Sequence, residues 1–466
     1  MRRAALIAVA LLASVLAMAP TAGAQRARFD TRLLARVPAP GFPAMAYVHP
    51  NGRIYVGTYV NPSGDSFRSR VLEYTPDGTL LHSWTVPGQD LSKDHGVQVT
   101  TSDSEGRLVL LDRTPARALL LDRRTGRFTQ YASFANLAPC LPLQPPTGCS
   151  QTIEDREPMA NYGVWGPDGS LYVSDYLQAV VWRVPPGGGA ASIWLSDRRL
   201  DGGEFGTTGL ALAADHRTLL IGQGSSAGLG ELNPTTGKIY TAQVQPDGSA
   251  GGLGLLWESG PADLPDGFTI ARSGNLYVPL AGGANQIAVV APDGHELERF
   301  PSSSGGGSNG SPVPFDTPSS ARFLGTRLIV ANQSFTGTRD NQALLDVETG
   351  ERGLPQLIPG LDSKAPVLSR VSLSRKRVAA GPRGRERVRF SVNEASTVTF
   401  RVDRRTAGRW STAKSITRRR KAGRGSVAFR TRGLRAGRFR VVVRAEDSAR
   451  NRSRKAVRRF RVAQLR

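Results

Sequence analysis

Three polar side chains stand where an apolar strand is about to begin: His95 in DHGVQV, Asn161 in ANYGVW and Asp266 in LPDGFTI. Elsewhere Pro-Asp-Gly marks a turn, as in GPDGSLYV, where Pro167-Asp168-Gly169 separates two apolar runs. Around Asp266 that slot is taken by Arg272-Ser273-Gly274-Asn275. Asp266 is therefore free to bind or catalyse, or it ends a loop by accepting from backbone N–H groups. An imidazole such as that of His95 can act as a general base. Its other reading is a histidine bonded to the backbone of a neighbouring unit.

These residues fall in one column of a repeat. GFPAMAYVHPNGRIYVGTY, DHGVQVTTSDSEGRLVLLD, ANYGVWGPDGSLYVSDY, GTTGLALAADHRTLLIGQG, LPDGFTIARSGNLYVPLA and TPSSARFLGTRLIVANQS share an apolar alternation, a polar turn and an apolar triplet. The second strands begin near Ile54, Leu108, Leu171, Leu219, Leu276 and Leu328. That spacing suits four strands per unit, so the sequence predicts an all-β chain built on a six-bladed β-propeller. TRLLARVP is expected to close the ring as the outer strand of the last blade. The column then reads Ala44, His95, Asn161, Thr208 and Asp266, with Ser319 or Ser320 in sixth place, and its short side chains predict a polar axial pocket. PSSSGGGSNGSPVP reads as a surface loop or a lid.

The stretch LPDGFTIARSGNLYVPLAGGANQIAVVAPDGHELERF resembles a blade of the gluconolactonase/regucalcin family, also called senescence marker protein or luciferin-regenerating enzyme-like. The resemblance covers about residues 40–350. It implies a six-bladed propeller holding a divalent cation, calcium above all, on its axis. The family's Asp falls on Asp266 and one Asn on Asn161, which makes these two the implied metal ligands, with Asp266 also the implied base for lactone hydrolysis. The family's Glu falls on Ala44 and its other Asn on Thr208, so the expected cation is weakly held or absent unless Glu204, Asp201, Glu154 or Asp155 reaches in. The implied partner of the pocket is a small-molecule ligand or lactone. The readings are an extracellular ligand-binding module and, as the alternative, a calcium-dependent lactone hydrolase.

Residues 1–24 read as a signal peptide: Arg2-Arg3, an apolar run and Ala22-Gly23-Ala24. They imply a secreted or envelope-associated protein, with no later run long enough for a transmembrane anchor. In that oxidising setting Cys140 and Cys149, the chain's 2 cysteines, are expected to form a disulfide. The propeller is expected over 25–355, a linker over 356–366 and a second domain over 367–466. The period-two runs RERVRFSV, STVTFRV, GSVAFRT, GRFRVVVRAED and VRRFRV predict an immunoglobulin-like β-sandwich there. Gly437, Phe439, Asp447, Ala449 and Asn451 resemble the closing strand and turn of bacterial extracellular modules of that class.

Of the formal net charge of +23, residues 365–466 carry +27, from 32 Lys+Arg against 5 Asp+Glu, and the rest carries −4. Arg387, Arg389, Arg440 and Arg444 alternate with apolar residues and so face outward. The expected partner of this arginine-rich domain is an anionic cell-envelope polymer. Specific nucleic-acid binding is not expected, because the basic strands lack an aromatic stacking platform.

Overall fold

The computed structural model describes residues 26–464 except 143, 146, 227–233, 304–306, 362–363, 383 and 448–450. The signal-peptide reading of residues 1–24 and Ala449 of the tail motif lie outside the described residues. The chain is all-β, and among the described residues its helical elements are the 3-10 turns Arg198–Leu200 and Arg339–Asn341. No helix among them is long and apolar enough to cross a membrane.

Six sheets follow one another from Thr31 to Glu348. The first is typical: Pro43–Val48, Ile54–Thr58, Arg70–Tyr74 and Leu80–Thr85 form an antiparallel meander. Asn51-Gly52 makes its first turn, and Gly52, at φ +83°, adopts a left-handed conformation that suits glycine. Burial falls outward, from wholly buried Ile54–Thr58 to exposed Leu80–Thr85. The innermost strands adjoin one another: Pro43–Val48 lies between Val97–Ser102 and Pro318–Leu324, and Ala160–Trp165 between Val97–Ser102 and Thr207–Leu212. In the fifth sheet the innermost strand shortens to Thr269–Ile270, with isolated bridges at Pro265 and Gly267.

The sixth sheet draws on both ends of this region. Thr31–Arg36 pairs antiparallel with Ala343–Glu348 and is its outermost strand. Arg26 fastens the junction with ion pairs to Asp30 at 2.8 Å and Asp346 at 2.7 Å. A departure from four strands occurs in the second sheet, where Gly189–Ala190, from the connection between the last two strands of the third, adds in parallel to Arg127–Ser133. After the sixth sheet the chain turns back, and Leu354 N–H donates to Ile270 O at 2.8 Å.

Beyond Ala365 two further sheets enclose one core. Leu368–Leu373, Arg385–Val392 and Gly423–Arg430 form one; Arg377–Ala379, Ala456–Ala463, Gly437–Glu446, Ser396–Thr406 and Arg409–Arg420 form the other. Phe390 and Phe429 meet Phe400, Phe439 and Phe460 between them. The closing turn is held by Asp447, whose carboxylate accepts from Asn451 N–H at 2.8 Å and its amide Nδ2 at 3.0 Å.

Buried polar groups at the ends of second strands organise the loops on the axial face. Asp175, 0% exposed, ends Leu171–Asp175. It accepts from the N–H groups of Met159, Leu177 and Gln178 at 3.0–3.2 Å and from the Trp182 indole at 2.8 Å. Asp175→Ala leaves four buried donors without their acceptor, and we expect a loss of about 3 kcal/mol or more in urea denaturation. A loss under about 1 kcal/mol would mean that the loops do not depend on it.

Candidate functional site

The innermost strands converge on a cavity of about 790 Å³. Ala44, Gln98, Asn161 and Thr208, each second in its innermost strand, line it together with Asp266. Register shifts between Pro43 and Ala46, Ala160 and Gly163, and Thr207 and Leu210 interrupt the alternation at these strand starts. Such bulges re-aim side chains that regular pleating would send elsewhere.

Asp266 is positioned from both sides. Its N–H donates to Pro279 O at 3.0 Å, and the Pro265–Leu280 bridge secures the preceding residue. Gly267 makes no left-handed turn; a Cβ there would collide with the ring and hydroxyl of Tyr162. Pro-Asp-Gly therefore does different work here: Asp266 faces the cavity while Gly267 gives way to an aromatic ring. Burial pushes the Asp266 carboxyl up to about 7, against the opposing pull of the Tyr162 hydroxyl and the Gly267 N–H. Its Oδ1 is buried without a hydrogen-bond partner.

Two more polar atoms beside this cavity are in the same state, the Tyr59 hydroxyl and Gln98 Oε1. Burial pushes Tyr59 up to about 12 and raises Tyr176 further, with the Asp266 charge adding to both, so each phenol stays a neutral hydrogen-bonding group. The Asn161 carbonyl oxygen accepts from Gln98 Nε2 at 2.9 Å, and the Thr208 hydroxyl donates to Pro265 O at 3.0 Å. Arg113, paired with Asp94 at 3.1 Å, and Glu204 bring charge to the lining.

Three sequence-derived site residues are placed elsewhere. His95 is 7% exposed and is not among the residues lining the cavity. Its Nδ1 meets Lys93 O at 2.9 Å and its Nε2 meets Phe67 O at 2.8 Å, with Asp65 at 3.3 Å. Burial pulls the imidazolium pKa down, but the two carbonyls and the Asp65 carboxylate outweigh it and raise it. Both ring nitrogens thus lie on backbone carbonyls and the ring stands outside the cavity, a placement that suits a loop clamp rather than the catalytic base expected of His95. Gln98, three residues on, occupies the column position assigned to it.

Ser319 and Ser320 are likewise not among the lining residues. Ser319 Oγ donates to Ala44 O at 2.8 Å, and Ser320 Oγ accepts from Ala46 N–H at 3.0 Å, so both join the sixth sheet to the first. The sixth sheet reaches the cavity through Asp316, Thr317 and Gln333 instead. Cys140 and Cys149 form a disulfide in the loop between the second and third sheets.

The donor set does not fit a firmly held calcium. Ala44 brings no oxygen, the Thr208 hydroxyl and the Asn161 carbonyl are engaged within the protein, and Asp266 is the one carboxylate of the column. Of the loop acids, Asp201 accepts from Ile153 and Gly203 N–H, and Glu154 pairs with Arg156. Asp155 is not part of the lining, and Glu204 is. Among the described residues no group of three or more His, Cys, Asp or Glu side chains is arranged to hold a metal ion.

No protein-family profile and no curated protein matches the chain. Solved structures similar to it include proteins of the gluconolactonase/regucalcin propeller family. A candidate gluconolactonase has 17% identity and a TM-score of 0.45, covering 70% of this chain and 94% of its own. Regucalcin from Agrobacterium tumefaciens, a calcium-binding protein, has 13% identity and a TM-score of 0.46 over 71% of this chain and 98% of its own. A luciferin-regenerating enzyme has 14% identity and a TM-score of 0.43 over 69% and 97%.

The elevated Asp266 pKa has a testable consequence. Between about pH 4, where an ordinary aspartic acid ionises, and about pH 7, the folded chain holds a proton that the unfolded chain has released, so stability falls as pH rises across that window. Asp266→Asn cannot ionise. Its stability relative to the parent should climb from pH 4 to 7 by as much as a few kcal/mol, about the scale of such a shift, and then level off. A difference that stays flat from pH 4 to 8 in urea denaturation would assign Asp266 an ordinary pKa.

Proposed function

We propose that the six sheets are the blades of a six-bladed propeller over residues 25–355 and that its axial cavity is an extracellular binding site for a small polar organic ligand. One observation carries this reading: Asp266, Tyr59 and Gln98 line the same cavity, and each has a buried side-chain oxygen without a hydrogen-bond partner. Buried polar atoms are normally satisfied, and a ligand offering hydroxyl groups would satisfy these three. A carboxyl near pKa 7 can donate to or accept from such a ligand. Residues 1–24 supply the export signal in this reading.

The alternative, a calcium-dependent lactone hydrolase, needs a carboxylate where Ala44 stands and a carboxamide where Thr208 offers only a hydroxyl. In a calorimetric titration the full mature chain should show no stoichiometric calcium binding, while Ala44→Glu combined with Thr208→Asn should gain affinity by at least tenfold. One calcium per parent chain, lost in Asp266→Ala, would overturn the binding-module reading in favour of the hydrolase. A panel of lactones and their hydroxy acids, followed by thermal shift and by NMR for ring opening, tests the cavity itself. Saturable stabilisation lost in Asp266→Ala and Gln98→Leu, without turnover, is expected; turnover would sink the binding-only reading.

The same proposal makes residues 367–466 an immunoglobulin-like sandwich, following a 356–366 linker, that tethers the propeller to anionic envelope polymer. The supporting feature is one outer sheet face where Arg438 pairs with Arg461 and Arg440 with Arg459 across neighbouring strands. A cleft of about 500 Å³ there is lined by Lys376, Arg405, Arg438, Arg459, Arg461 and Trp410, and the Arg440 guanidinium lies 4.6 Å from the centre of the Trp410 ring. Retention on a polyanionic matrix should fall steeply with salt, and Arg438→Gln with Arg459→Gln and Arg461→Gln should lower the eluting salt concentration markedly. Unchanged elution of that triple variant would remove this face from the tether.

A further inference from the structure

A second, much smaller cavity borders the opposite ends of the innermost strands. About 40 Å³ in volume, it is lined by Thr101, Trp165, Leu210, Ile270 and Arg322, and Leu354–Leu357 from the segment after the sixth sheet adds to its wall. These residues come from five of the six sheets, which places the cavity on the axis. It shares no lining residue with the large cavity.

Arg322 is the unexpected member. It lies on the innermost strand of the sixth sheet and is 4% exposed. Its Nη1 donates to two neutral carbonyls, Phe268 O at 2.5 Å and Ala321 O at 3.0 Å, and its Nε is buried without a partner. No carboxylate among the described residues forms an ion pair with it, whereas Arg26, Arg117, Arg299 and Arg327 each have at least one. Asp266, Glu204 and Asp316 all line the large cavity instead.

A guanidinium remains protonated under any condition in which the fold survives. An uncompensated charge in a protein interior costs several kcal/mol, of order, even after relaxation. Tyr47 and Tyr162 are the titratable side chains that act on Arg322, and burial keeps both phenols neutral. The described residues thus supply carbonyl dipoles but no counter-charge, beside a space large enough for a water-sized or halide-sized guest and too small for an organic ligand.

We propose that Arg322 forms an axial anion site that takes one small inorganic monoanion of the size of chloride. With Nη1 committed to the two carbonyls, the N–H groups at Nε and Nη2 are the donors left for that ion, and Leu210, Ile270, Leu354 and Leu357 give the site an apolar wall. Because Leu354 is hydrogen-bonded to Ile270 O, the bound ion would also hold the segment leading out of the sixth sheet against the fifth. This site is independent of what the large cavity binds.

The test uses the full mature chain in sodium methanesulfonate, whose anion is too large for the cavity. Replacing it by chloride or bromide at constant ionic strength should raise the melting temperature saturably by roughly a few °C, as for a ligand that binds only the folded state. Arg322→Met should abolish the response. Crystals in bromide should show an anomalous peak in the small cavity beside the Arg322 guanidinium. Identical melting in both salts, or a response that survives in Arg322→Met and so belongs to the tail arginines, would overturn the proposal. Should Arg322→Met fail to fold, the bromide peak decides alone, and its absence at Arg322 rejects the site.

Discussion

The arrangement on the axis depends on one pairing, that of Thr31–Arg36 with Ala343–Glu348. Without it Ala343–Glu348 would be an open sheet edge, and open edges recruit other chains. With it, the sixth sheet contains both ends of the array, and Asp346 collects Arg26 from the first segment and Arg327 from the last. Covalent order alone would leave the sixth sheet free to drift from the first. The serines at its inner edge, bonded to Ala44 O and Ala46 N–H, complete the same seam from the axial side.

Drawing the innermost strands together also creates an electrostatic problem on the axis. Side chains there cannot reach bulk water from the middle of the strands, so their polar groups must be matched within the protein or by something bound. Tyr162 stands at the centre of this arrangement: its hydroxyl donates to Ser319 O at 2.7 Å, its ring fills the space that Gly267 leaves open, and its environment includes both Asp266 and Arg322. The carboxyl and the guanidinium stand in separate cavities and do not pair with each other. The acid responds by holding its proton to about pH 7, an option closed to the guanidinium.

Much of this architecture was legible in the sequence because turn residues and apolar triplets recur in step. The second strands begin at or within one residue of the positions read from the repeat. The axial column was harder to read. Asp266, Asn161, Thr208 and Ala44 line the cavity, but the second-sheet position belongs to Gln98 rather than His95, since DHG is a loop before the strand begins at Val97. Ser319 occupies the equivalent strand position but turns its hydroxyl onto the first sheet, a choice made by a neighbour remote in sequence. Arg322 gave no signal at all: one arginine in an apolar run reads as a solvent-facing strand residue until the adjoining sheets close around it. In the C-terminal region RWSTAKSITRRR, at Arg409–Arg420, lacks apolar alternation because it is an edge strand, exposed along most of its length, and pattern alone could not reveal it.

Charge in the two regions is handled in opposite ways, and the contrast bears on how each recognises a partner. The axial region contains few charges, each buried or confined to a cavity, where a misplaced donor costs the full desolvation of its group and selectivity follows from geometry. In the C-terminal region Asp403, 1% exposed, accepts from Arg401 at 2.9 Å and Arg440 at 2.8 Å. That buried carboxylate orients two guanidinium groups on a face whose other arginines project into solvent. Interactions of such exposed groups are individually weak and screened by salt, so binding through them requires a partner with many negative charges in succession. A polymer supplies that repetition and a small molecule does not. In the proposed reading the axial cavities would discriminate among small ligands by geometry, whereas the basic face would accumulate affinity along a polyanionic chain.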